Sequence, residues 1–260
     1  MKRRISSVAR LWAIAALSVS CSAPPVTSSA TGSAPATASP SPVSPPANAT
    51  GVFTVSGANP VPPNGSQDTY ATTPNAECDS KKFEPDEAIG NEVAAGFSVS
   101  SFPAAAALLT HFLKGEGTEI AYAHGSSISR EALASSAFQA VNEKVQGEIT
   151  LRLKAGDTRI LLTAGQLPTV AFESAASDLY WGFRGTQGLT VTGKGSRKNG
   201  RYVGSLTYVI RDSYGFPAGD TLAGFGPPMR YLQTVCGAPK HAGGAHWFPD
   251  TITVTVPFMR

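Results

Sequence analysis

The chain has 260 residues, 42% of them hydrophobic and 15% charged, with 21 Lys and Arg against 18 Asp and Glu. Four of the basic residues (Lys2, Arg3, Arg4 and Arg10) lie in the first ten positions, so the rest carries 17 basic against 18 acidic side chains, a net of −1. That balance removes the electrostatic case for nucleic acid, which is gripped by a clustered basic face, and no stretch is long and apolar enough to span a bilayer.

The start, "MKRRISSVARLWAIAALSVSC", has a basic head, a short apolar core from Leu11 to Leu17, and then small residues. This is the order of a secretory signal, here residues 1–20, with cleavage before Cys21. Two fates stay open for the new terminus. Cys21 resembles the lipidated cysteine of a bacterial lipobox, although Ser18 stands where leucine is usual. Lipidation makes a membrane-anchored protein, and plain cleavage makes a secreted one. Both place the chain outside the cytoplasm.

From Cys21 to Gln67 there is no charged residue. The segment is Ser, Ala, Thr and Pro, a composition that buries too little apolar surface to offset its ordering entropy. Residues 21–74 therefore read as a flexible spacer, with Gly51–Val55 ("GVFTV") as its one piece with strand character, and 75–260 as a single globular domain. With Cys21 assigned to the terminus, Cys78 and Cys236 remain as a pair and predict a disulfide in an oxidising compartment.

Helices come first in the folded part. "SFPAAAALLTHFLKG" offers Ser101 as a cap, Pro103 in the first turn and Gly115 beyond the end. A second helix is expected from Ser129, reaching Lys154, with Phe138, Val141, Val145 and Ile149 at helical spacing; Gly147 and the alternating "EITLRL" leave its second half open to a strand. Shorter helices are expected over Ser177–Phe183 and over "PPMRYLQTVC".

Strands follow. Asn199-Gly200 predicts a two-residue hairpin turn, in which Leu189 faces Ile210, Val191 faces Tyr208 and Gly193 faces Leu206. "DTITVTVPF" turns Ile252, Val254, Val256 and Phe258 inward. The expected fold is α+β, an antiparallel sheet with helices packed on one face.

"RDSYGFPAGD" carries the candidate chemistry. Continuing the hairpin register sets Asp212 and Tyr214 on the inward face, one step beyond the apolar run. A carboxylate there must find a partner or open into a cleft. The stretch also reads as a capped strand end, with Gly215 and Pro217 closing it.

"ALLTHFLKGEG", followed by a helix, a hairpin and "YVIRDSYGF", resembles the catalytic region of colicin M-like bacteriocins, which cleave a lipid-linked peptidoglycan precursor. Their Asp-x-Tyr-Asp-Phe motif matches at Asp212, Tyr214 and Phe216, but Gly215 replaces the second aspartate and no His-Arg pair follows. The resemblance thus implies a shared fold more than a shared activity. The chain also resembles uncharacterised secreted or lipoprotein-like proteins of actinobacteria.

His246 is the candidate acid or base opposite Asp212. His241 and His246, with Asp220 or Asp250, lack the fixed spacing of a zinc site, so no metal is expected. His111 reads as a partly buried structural residue. There is no nucleophile elbow, phosphate loop or dinucleotide fingerprint, and no cofactor is expected. Tyr180, Trp181 and Trp247 would stack on a sugar or wall polymer, or fill the core. The expectation is an envelope protein with a binding domain, the alternative a hydrolase of the lipid-linked precursor.

Overall fold

The computed structural model describes residues 51–60, 77–218, 224–237 and 244–260. Cys21, Asp220 and His241 lie outside them. The described strands are β1 (Val52–Asn59), β2 (Ile120–Tyr122), β3 (Arg159–Leu162), β4 (Gly188–Lys198), β5 (Arg201–Tyr214) and β6 (Phe248–Met259). The helices are α1 (Ser80–Val99), α2 (Pro103–Leu113), α3 (Ser127–Ala134), α4 (Ser136–Lys154), α5 (Asp178–Phe183) and α6 (Gly226–Thr234). Together they make an α+β domain.

The strands form one open sheet in the order β2-β6-β5-β4-β1-β3. The predicted antiparallel sheet needs correction: β1–β4, β4–β5 and β5–β6 are antiparallel, but β1–β3 and β2–β6 are parallel. Both parallel strands are short edge strands of three or four residues, below the length at which alternation can be read. The hairpin register holds, with Leu189 opposite Ile210 and Val191 opposite Tyr208. Asn199 and Gly200 both take positive φ, 50° and 78°, as a primed two-residue turn requires.

β1 begins inside the segment read as spacer. Alternation explains why it joins the sheet: Phe53 and Val55 are buried while Thr54 and Ser56 face solvent. The Phe53 ring packs edge-on against Tyr202 and Phe258.

Two helices depart from expectation. The stretch from Ser129 to Lys154 is divided at Ser135, whose ψ of 140° ends α3 and whose hydroxyl accepts from the Phe138 N–H to start α4. "EITLRL" stays helical within α4. α1 has no clear apolar stripe and contains Pro85, Gly90 and Gly96, so the sequence did not reveal it. Tertiary contacts hold it. Phe83 and Phe97 enter the core, Gly90 admits Leu113 and Met229, and Lys82 lies 3.9 Å above the Tyr231 ring of α6. The Cys78–Cys236 disulfide joins the segment before α1 to the end of α6.

The core lies between one face of the sheet and the helices, with Phe138 of α4 edge-on to Tyr208 and the Tyr208 hydroxyl bonded to Asn142. Beyond β2, side chains finish the edge of β6. Ser129 Oγ donates to the Thr253 carbonyl, and the Thr255 N–H donates to His124 Nδ1. Pro257 has no N–H to offer. An edge finished this way resists adding another strand.

Candidate functional site

Strand register builds the most unusual feature of the core. Inward positions of β5 run Leu206, Tyr208, Ile210, Asp212; those of β6 run Val256, Val254, Ile252, Asp250. Each acid is two residues beyond the last apolar one, and the pairing sets Asp212 directly opposite Asp250. Side chains so placed have Cβ atoms about 4.5–5.5 Å apart. Asp250 is fully buried and Asp212 is 9% exposed. No donor among the described residues reaches either carboxylate oxygen of Asp250.

Two anions cannot share such a place. Burial pushes Asp212 up to about 8, opposed by a hydrogen bond from the Ser213 backbone. Burial, and then the charge of Asp212, hold Asp250 well above the carboxylate range, with a smaller push from Glu119. The pair therefore retains at least one proton at neutral pH. On neighbouring β2, Tyr122 is pushed up to about 12 by burial and by the charges of Asp250 and Asp178.

Aromatic rings flank the end of these strands. Tyr214 stacks on Phe248 at 5.4 Å and meets Phe112 and Phe216 edge-on. His111 is a structural residue here: its ring stands edge-on to Phe248 at 4.5 Å, and Nε2 bonds the Thr118 carbonyl. His246 turns Nδ1 to the carbonyl of its neighbour Trp247, and its backbone N–H donates to the Phe112 carbonyl. No hydrogen bond among the described residues joins His246 to Asp212. The structure thus brings Asp212 beside Asp250, leaves Tyr214 in an aromatic stack, and sets His246 against the backbone. Among the described residues no group of three or more His, Cys, Asp or Glu is placed to hold a metal ion.

Asp250 is the residue sequence reasoning weighed only as a metal ligand. The signal was present: both acids sit at the same offset from their apolar runs. The pairing of β5 with β6, across a long connection, was not readable.

A second acidic feature connects helix ends. The first turn of α2 has no cap from Phe102, and Ser101 does not serve either. Instead Asp178, the first residue of α5, accepts from the Ala104 and Ala105 N–H groups at 2.8 and 2.7 Å. Glu131 of α3 in turn accepts from Ser177 Oγ at 2.6 Å and the Asp178 N–H at 3.1 Å. Burial raises Asp178, and its two N–H bonds oppose the rise.

Beside this relay an open groove of about 890 Å³ runs between the α3–α4 junction and the segment before α5, lined by Glu131, Ser135, Phe172, Glu173, Ser174 and Ser177 among others. Its polar lining is hydroxyls and two carboxylates. Trp181 is partly buried, 5.3 Å from the Phe97 ring, and its Nε1 holds the Ala175 carbonyl. Tyr180 lies against Trp181 and under Arg184, whereas Trp247 stacks with His246. No family model, curated protein or solved structure matches this chain.

Proposed function

We propose that this is an extracytoplasmic envelope protein, anchored through a lipid on Cys21, whose folded domain binds a ligand at its surface. The enclosure of Asp212 carries the choice of binding over hydrolysis. The acid that matches the bacteriocin-like motif is buried against a second carboxyl group, with no base among the described residues hydrogen-bonded to it. The groove at Glu131 and Glu173 is by contrast open, and its hydroxyls and carboxylates suit a hydroxylated or amine-bearing ligand. The disulfide is compatible with an oxidising compartment, and no helix among the described residues is long and apolar enough to cross a membrane.

A second reading keeps the enzyme. Asp250 supplies across the sheet the acid that Gly215 removes from the motif, and a proton-sharing carboxyl pair is a known acid–base device. Incubation with lipid-linked peptidoglycan precursor separates the two. Binding predicts no release of phosphorylated headgroup by wild type. Release that is lost in Asp212→Asn establishes the hydrolase. For the anchor, Cys21→Ala should move the protein from the membrane fraction to the medium, and unchanged partition removes lipidation.

A further inference from the structure

The face of the sheet turned away from the helices is open across five strands and has an unusual composition. Its outward residues follow from the register. One row runs Leu161, Ser56, Thr192, Thr207, Thr255 from β3 to β6. The next runs Arg159, Thr54, Lys194, Ser205, Pro257, and the row on the other side runs Ala58, Thr190, Val209, Thr253. None of these residues is buried. Thr207 and Thr255 bond to one another at 3.1 Å, and strands about 4.8 Å apart space the hydroxyls evenly.

The charge on this face has one sign. Arg159, Lys194, Lys198, Arg201 and Arg211 are its ionised strand residues, and no outward strand residue is acidic. Glu119 stands at the rim, accepting from Thr251. None of the five cations makes an ion pair within the described residues; Arg159, Lys194, Lys198 and Arg201 are exposed, whereas Arg211 is half-buried. A chain close to neutral overall has thus gathered cations and hydroxyls on one face of the sheet, with the exposed Val52, Leu161 and Met259 at its margins.

We propose that this face docks a linear acidic polysaccharide, with the cations taking its carboxylate or phosphate groups and the Ser/Thr rows its hydroxyls. Charge complementarity and the hydroxyl grid argue for this occupant. Single-stranded nucleic acid would call for aromatic stacking platforms, and a membrane surface for interfacial Trp or Tyr; the outward strand positions hold no aromatic residue. The surface shares no residue with the groove at Glu131, so its test stands apart from that reading.

The test uses the full chain with Cys21→Ala and polygalacturonate as the probe, beside neutral dextran, single-stranded DNA and phosphatidylglycerol vesicles. Binding to polygalacturonate, weakening with salt, is expected, with dextran, DNA and vesicles bound at least about tenfold more weakly. Arg159→Glu with Lys194→Glu, two exposed side chains flanking Thr54, should lower the polygalacturonate affinity about tenfold or more with an unchanged melting temperature. Should that variant unfold, the Gln pair at the same positions replaces it. Thr192→Val with Ser56→Ala should weaken binding without altering charge. Absence of polygalacturonate binding at low salt overturns the proposal. So does an affinity unchanged by folded charge variants, or equal or tighter binding of DNA or vesicles.

Discussion

Asp212 and Asp250 face one another across β5 and β6 on the helix-covered side of the sheet, and neither oxygen of Asp250 receives a hydrogen bond from the described residues. Their raised folded-state affinities for protons tie stability to pH. An acid whose folded value lies above its unfolded one contributes stability that is complete below the unfolded value and is lost as pH rises through the folded value. The window here runs from about 4 to about 8. Asp212→Asn removes the ionisation and keeps the shape. Urea midpoints of variant and wild type should nearly coincide at the acid end. By pH 8 the variant should lead by roughly 2–4 kcal/mol. A gap that does not widen with pH would refute the buried pair.

Asp178→Ala strips two backbone N–H groups of the buried start of α2 of their acceptor. The expected loss is roughly 2–3 kcal/mol in urea unfolding, more than an exposed cap because these donors are buried and no other described residue accepts from them. Asp178→Asn should recover part of it through its remaining carbonyl. Amide exchange at Ala104 and Ala105 should quicken in the alanine variant before the rest of α2. Equal exchange in both proteins would show that the carboxylate is not the cap.

The Cys78–Cys236 bridge spans 158 residues and fastens α1 to α6. Replacing Cys236 by Ser should cost roughly 2–5 kcal/mol, mostly through the freer unfolded chain. Reductant should lower the melting temperature of the wild type to that of the variant. A wild type indifferent to reductant would mean that the bridge does not form.

Glycines separate packing from propensity. At Gly204 a Cβ would stand 2.4 Å from the Lys194 carbonyl oxygen and 2.8 Å from the Gly195 Cα, both backbone atoms that cannot turn aside. Gly204→Ala should destabilise by about 2 kcal/mol or more. Gly147 lies on the exposed side of α4 with nothing near its missing Cβ, so Gly147→Ala should stabilise by about 0.5–1 kcal/mol. Thermal melts of the two variants should shift in opposite directions.

Local physics made much of this molecule legible in its residues. Alternation and a turn requiring positive φ prescribed the β4–β5 hairpin to the residue, and period two alone carried Asp212 inward. Alternation also marked Phe53 and Val55 as a strand inside a disorder-like composition, and counting cysteines paired Cys78 with Cys236. Tertiary structure decided what no local rule encodes. α1 is a helix despite Pro85 and its glycines because α2 and α6 cover it. Ser101 is not a cap because Asp178, 74 residues away from Ala104, reaches the same donors first. β2 and β3 are too short to announce themselves, and they lie parallel to the strands they join. Asp250 became the neighbour of Asp212 only when β6 took its place beside β5. A strand's own pattern determines which side each residue faces, but the residue opposite it depends on a partner distant in sequence.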